Sequence, residues 1–159
     1  MSRSKGDDEI KRDDEINRAF RESLIKALEN ETNSSVVNLD YGQIAKTKND
    51  ILQKLPITVT QLKKLHTQLK MYRYVETMDE LNYGRYIRWI RINVEDPTDL
   101  SLTVGGHVCD LKVVDDEIRV FCLSRSKRIF HIKMNEVLMF QKLSPQEDII
   151  LTATKAYFQ

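Results

Sequence analysis

The chain has few cysteines and no long apolar run. Two cysteines, Cys109 and Cys122, in 159 residues are too few for a disulfide framework, so a reducing, intracellular setting is favoured. The sequence shows no signal peptide, transit peptide or apolar run long enough to cross a bilayer. We therefore expect an intracellular protein that is neither secreted nor inserted in a membrane.

The common catalytic and nucleotide-binding motifs are also missing. The sequence contains no phosphate-binding loop, dinucleotide fingerprint, HExxH or GxSxG. Two histidines and both cysteines, His107, Cys109, Cys122 and His131, could together offer zinc two imidazoles and two sulfurs. Their spacing is unlike that of paired CxxC knuckles, and buried cysteines in strands are commoner. We expect no catalytic residue, no metal, no cofactor and no enzymatic activity.

No sign of charge dominates, because the formal net charge is only +1. Charge is instead distributed in alternating blocks: residues 93–116 are strongly acidic, whereas residues 36–70 and 117–143 are basic. A single continuous phosphate-binding face would need clustered basic charge. The blocks favour a protein that meets several differently charged surfaces.

The N-terminal region contains a duplicated hexamer, residues 7–12 and 13–18, in which acids come first and bases last. That order favours a helix through its dipole and through i,i+4 pairs. Apolar residues four apart then form a stripe: Ile16, Phe20, Leu24 and Leu28. The spacing predicts an amphipathic helix over 13–30, within a polar arm of residues 1–35. The stripe could pack on its own domain or dock on another subunit.

Residues 36–82 predict a helical hairpin. One helix follows Asp40 and ends before Pro56, and the next starts at Thr58 or Thr60 and runs to about Tyr72. The short linker between them favours antiparallel packing.

After Gly84 the periodicity changes to that of short strands. About five strands, with a long first loop and tight later turns such as Asp115-Asp116, predict a small SH3-like β-barrel. Ser144-Pro145-Gln146-Glu147 is a capping box with proline at the first helical position, which predicts a C-terminal helix covering the sheet. We expect an α+β fold with three segments: 1–35, 36–82 and 83–159.

Aromatic and arginine side chains are concentrated between residues 71 and 92. The candidate partner-binding residues are Tyr72, Arg73, Tyr74, Tyr83, Arg85, Tyr86, Arg88 and Trp89, together with the basic turn residues Arg125, Lys127 and Arg128. Tryptophan, tyrosine and arginine are enriched at the centres of protein interfaces. They also stack on bases and contact phosphates in single-strand binders. An aromatic cage for a cationic side chain, or simple burial between helices and barrel, stays open.

The segment Leu81-Asn82-Tyr83-Gly84-Arg85-Tyr86-Ile87-Arg88-Trp89-Ile90, with Tyr72-Arg73-Tyr74 before it, resembles small uncharacterised proteins of large DNA viruses of algae and amoebae. The resemblance covers roughly residues 60–143. It implies a protein of the virion or the virus factory, and it transfers no functional residue. We expect a non-catalytic structural or protein-interaction module, such as a minor capsid or core protein that binds virion or host proteins. The alternative is a nucleic-acid-binding protein.

Overall fold

The computed structural model describes residues 4–157 and confirms the α+β class. The chain separates into two compact units. One contains the residues up to Tyr41 and those from Ser144 onward, and the other is Gly42–Leu143. The compact units therefore differ from the predicted segments 1–35, 36–82 and 83–159.

The first unit contains α1 (Lys5–Glu29), a 3₁₀ turn (Glu31–Val36) and α4 (Pro145–Tyr157). Helix α1 begins eight residues earlier than predicted. Ser4 caps it by accepting a hydrogen bond from the Asp7 amide, and acidic side chains occupy the first turn. The Ser4 hydroxyl satisfies one of the free backbone amides of the first turn. The acidic side chains interact favourably with the positive end of the helix dipole. None of the described helices combines the length and apolarity needed to cross a membrane.

Helix α4 starts with the predicted capping box. The Glu147 carboxylate accepts the Ser144 amide at 2.9 Å, and the Glu147 amide donates to the Ser144 hydroxyl at 3.1 Å. Ala27, Val36 and Ile150 form the small core of this unit. The α4 prediction is confirmed in position and in mechanism, whereas its placement over the sheet stays a prediction.

The second unit opens with the two predicted helices, α2 (Tyr41–Leu52) and α3 (Val59–Gln68). Thr58 caps α3 and exchanges hydrogen bonds with Gln61. The helix ends earlier than predicted, because Tyr72 belongs to a strand that pairs along its full length with the last strand of the sheet. The helical spacing of Leu62, Leu65 and Leu69 did not indicate that the helix ends at Gln68 and that a strand begins at Tyr72.

The sheet has six antiparallel strands: β1 (Tyr72–Val75), β2 (Tyr86–Arg91), β3 (Gly106–Val114), β4 (Glu117–Leu123), β5 (Ile129–Lys133) and β6 (Val137–Lys142). Their order is β1-β6-β2-β3-β4-β5. The predicted closed barrel of five strands was wrong, because β1 and β5 occupy opposite edges and the sheet stays open. Residues 100–104 form a loop that runs beside β2, held there by the Ile90–Leu102 bridge and by hydrogen bonds between Thr103 and Trp89.

The sheet buries side chains on both of its faces. Its inner face holds the first core, to which every strand contributes: Val75, Ile87, Trp89, Val108, Val120, Cys122, Ile132, Val137 and Met139. On the outer face, Tyr72, Ile90, Leu138 and Phe140 pack with Leu52, Leu65 and Leu69 of α2 and α3. The helices therefore cover the outer face only where β1, β6 and β2 lie.

Gly105 brings the loop before β3 close to β2. Its φ is +92°, and a Cβ built there would lie 2.2 Å from the Ile87 carbonyl oxygen. We expect Gly105→Ala to lower the free energy of unfolding by about 3 kcal/mol or more, since positive-φ strain and a backbone clash add. Gly84→Ala is the matched control: φ is +80° but the space is open, so about 1 kcal/mol is expected. If urea unfolding showed the same loss of free energy of unfolding for Gly105→Ala and Gly84→Ala, the predicted clash at Gly105 would be contradicted.

Lys48 is a buried cation that closes the end of the helical hairpin. Its ammonium donates to the carbonyl oxygens of Leu69 at 2.8 Å and Tyr72 at 2.9 Å. Burial lowers the pKa of this lysine. The unfolded state therefore binds more protons in the alkaline range, and this group makes folding more favourable as pH rises toward its ordinary pKa.

Lys48→Met should lower the free energy of unfolding by about 2–4 kcal/mol, because two buried carbonyls lose a donor. Lys46→Met, on an exposed side chain of the same helix, should stay within about 1 kcal/mol of the parent. The difference in the free energy of unfolding between the parent and Lys48→Met, measured by chemical denaturation, should widen between neutral and alkaline pH. A difference in the free energy of unfolding that becomes smaller as pH rises would contradict the role given to the buried ammonium.

Candidate interaction surfaces

Strand alternation divides the predicted aromatic and basic residues between two faces of the sheet. The register pairs Tyr72 with Lys142 and Arg73 with Gln141, so neighbouring residues of β1 point to opposite sides. In the same way, Tyr86 and Arg88 lie on the outer face, whereas Trp89 lies on the inner face beside Met139. The stretch from 71 to 92 is therefore not one surface.

Arg73 and Trp89 belong to the inner core, which corrects their assignment as partner-binding residues. Arg73 is 3% exposed, pairs with the Glu80 carboxylate at 3.1 Å and donates to the Glu80 carbonyl oxygen at 3.1 Å. Trp89 is 4% exposed and packs on Phe130, with ring centroids 5.7 Å apart. Neither side chain can reach a partner while the sheet is intact.

Three of the predicted tyrosines lie on the outer face, where Tyr72 is buried in the core and Tyr74 and Tyr86 are half-buried at its margin. Tyr72 is buried, Tyr74 packs on Phe140, and Tyr86 donates its hydroxyl to the Val104 carbonyl. Burial raises the pKa of Tyr72, and Arg88 and Arg125 partly oppose that rise. Burial also raises the pKa of Tyr74.

Tyr83 and the turn between β4 and β5 remain accessible. Tyr83 is 65% exposed. The turn residues Arg125, Lys127 and Arg128, which we call the basic tip, are all exposed. Arg85 is half-buried and donates to the Lys142 carbonyl oxygen at 3.1 Å, while Arg88 donates to that of Thr103 at 2.8 Å.

A surface that the sequence interpretation missed lies on the outer face of β3, β4 and β5. It consists of aromatic, histidine and aliphatic side chains that we call the outer patch: His107, Phe121, Leu123, Ile129 and His131. Ile129 is 69% exposed and both histidines are exposed. The sequence held a signal for this surface: Val120 and Cys122 already fill the inner face, so the apolar residues between and after them, Phe121 and Leu123, must lie on the outer face.

The same alternation separates the four potential zinc ligands. Cys122 is buried on the inner face, whereas His107 and His131 are exposed in the outer patch. Cys109 is exposed at the irregularity in β3 and its thiol contacts the Phe121 carbonyl oxygen at 3.3 Å. Among residues 4–157, no three His, Cys, Asp or Glu side chains are placed to share a metal ion.

The predicted stripe on α1 has two environments. Leu24 packs against the core of the first unit and Phe20 is half-buried. Ile16 is 60% exposed and Leu28 is 48% exposed. Every residue from Ser4 to Ala19 is exposed, including Ile10 at 63%. We call residues 4–19 the exposed arm.

The two thiols should differ sharply in reactivity. Burial raises the pKa of the Cys122 thiol to about 12, with a smaller contribution from Cys109, and only the thiolate is nucleophilic. At mildly alkaline pH we expect one fast-reacting thiol in the native protein and two in denaturant, measured with a chromogenic disulfide reagent. Cys109→Ser should abolish the fast reaction, and fast labelling that persists in this variant would contradict the assignment.

Comparison with known protein families, curated proteins and solved structures gave no match to this chain. A proposal on its function therefore depends on the accessible surfaces described above.

Proposed function

We propose that this protein is a non-catalytic interaction module that binds other protein subunits through the exposed arm. The observation that supports this most directly is the exposed half of α1. It is helical from Lys5, yet none of its side chains from Lys5 to Ala19 is even half-buried. Ile16 belongs to the stripe that, further along the helix, packs into the core at Leu24. Ile10 precedes Leu28, the last member of that stripe, by about five helical turns and therefore lies on the same side of the helix as Leu28.

The energetics of helix formation favour such a partner. Short helices without tertiary packing are marginal in water, because most helical stability in proteins comes from burying an apolar face. The exposed arm spans about 22 Å of helix at 1.5 Å per residue. It relies on the Ser4 cap and on acids preceding bases by four residues, as at Asp7 and Lys11. A docked subunit would supply the burial that residues 4–157 do not provide for the arm.

We infer that the sheet provides an SH3-like scaffold that is extended and not closed. The strands from β2 to β5 form a meander, and β6 returns beside β2 after a 3₁₀ turn at Met134–Glu136. Strand β1 is then an addition beyond β6. Such a sheet is a rigid body on which contact surfaces can be held.

The resemblance at residues 81–90 leads us to place this module in the virion, as a minor capsid or core protein of a large DNA virus. Stable assemblies bury apolar residues at their centres and keep polar residues at the rim. The arm has that composition, since isolated isoleucines are surrounded by charge. Quantitative mass spectrometry of purified particles tests the placement: enrichment over infected cells is expected, and absence from particles would contradict it.

The Ile10→Ser/Ile16→Ser double variant should lose its protein partners while remaining folded. Burying an isoleucine contributes about 1.5–3 kcal/mol, so each substitution should weaken the complex by about 10-fold or more. The measurement is partner recovery by the full-length protein as bait, with binding then quantified for each recovered protein in purified form.

Ile25→Ser is the matched control, because Ile25 is equally exposed on the same helix but lies outside the stripe. It should retain the partners. Identical recovery by the parent, the double variant and the control would show that the arm does not mediate binding.

A further inference from the structure

The outer patch extends across three strands in regular rows. His107, Leu123 and Ile129 are paired in one row, and Asp110, Phe121 and His131 in the next. The irregularity between Val108 and Asp110 keeps His107 and Asp110 on the same face. All side chains of the outer patch therefore point away from the inner core, on the part of the sheet that α2 and α3 do not cover.

Two ring pairs lie on this face. The Tyr86 and His107 centroids are 5.1 Å apart in an edge-on arrangement. The Phe121 and His131 centroids are 5.4 Å apart, and the Lys112 ammonium lies 5.0 Å from the Phe121 centroid. Rows two residues apart are separated by about 7 Å along a strand. The two ring pairs also lie two strands apart, which adds about 10 Å across the sheet. Their total separation of about 12 Å is more than three times the 3.4 Å rise of stacked bases, so bases on the two pairs would be splayed apart.

Cations are concentrated at one end of the outer patch. The basic tip begins two residues after Leu123, and no acidic residue occurs between Glu117 and Glu136. Lys142 is exposed near Tyr86 at the same end of the sheet. The acids on the face are paired: Asp110 with Lys112 at 3.7 Å and Glu117 with Lys133 at 3.3 Å. The unneutralised charge at the tip is therefore positive.

We propose that the outer patch, with Tyr86 and the basic tip, binds single-stranded nucleic acid. The rings stack on splayed bases and the tip cations contact phosphates. Stacking on aromatic side chains tolerates any base, whereas reading a duplex requires an element that fills a groove. An acidic peptide would satisfy the tip but would leave the rings without planar partners. This function goes beyond the proposed protein interactions and does not depend on α1.

Fluorescence anisotropy of the full chain with a labelled oligothymidylate of about 12 nucleotides tests the proposal. Phe121→Leu keeps apolar packing but removes the ring, so it should raise the Kd by about 5- to 150-fold, the range for loss of one base stack. Phe121→Tyr keeps the ring and should bind like the parent. Equal Kd values for the two variants, both folded by circular dichroism, would overturn the stacking role.

The Arg125→Gln/Lys127→Gln/Arg128→Gln triple variant tests the phosphate contacts. Between about 50 and 200 mM salt, the slope of log K against log salt should fall by about 2 for three lost contacts on a single strand. The matched control is Lys63→Gln/Lys64→Gln/Lys70→Gln, which removes the same charge from exposed residues in and after α3. It should leave the slope unchanged.

Three outcomes would overturn the proposal. The first is no binding at low salt. The second is an equal loss in both triple variants, since affinity would then follow net charge alone. The third is equal or tighter binding of a duplex of the same length, or of an acidic polypeptide in competition, since the rings would then contribute nothing. Preference for the single strand, lost with Phe121→Leu, supports it.

Discussion

The alternation of side chains across one sheet is the constraint on which the second unit depends. Every strand contributes to the inner core, so most residues at alternate positions are committed there. The hairpin of α2 and α3 covers the outer face of β1, β6 and β2 only. The outer face of β3, β4 and β5, the turn that joins β4 to β5 and Tyr83 remain accessible for contact with other molecules. A register shift by one residue would exchange the buried and accessible sets entirely.

Buried polar side chains explain how the connection from β1 to β2 is held beside β6. Gln141 is fully buried, and its amide accepts the Asn82 N–H at 3.0 Å and donates to the Glu80 carbonyl oxygen at 3.2 Å. Arg73 holds both the carboxylate and the carbonyl of Glu80. Buried backbone groups need such partners. Arg73 therefore holds the connection from β1 to β2 in place. The aromatic and arginine residues around it in sequence had instead predicted that it binds a partner.

The two units present different kinds of surface. The exposed arm is a charged helix with isolated isoleucines, suited to a protein partner that supplies apolar burial. The outer patch combines rings with a basic turn on a rigid sheet, suited to planar, anionic ligands. Because the surfaces belong to separate compact units, each can be altered without removing side chains from the other's core.

Local signals determined much of this protein from its sequence. The capping box at Ser144, the turn at Asp115 and Asp116, the cap at Thr58 and the stripe on α1 all depend on residues a few positions apart. The α+β class, the helical hairpin and the four strands from β3 to β6 were predictable for that reason. Tertiary structure alone decided where α3 ends and that the sheet stays open, because both depend on β1 pairing with β6 about seventy residues away. It also decided the accessible residues. Arg73 and Trp89 are buried because they lie on the inner face, which side chains from every strand fill, whereas Phe121 and His131 lie on the part of the outer face that α2 and α3 do not cover.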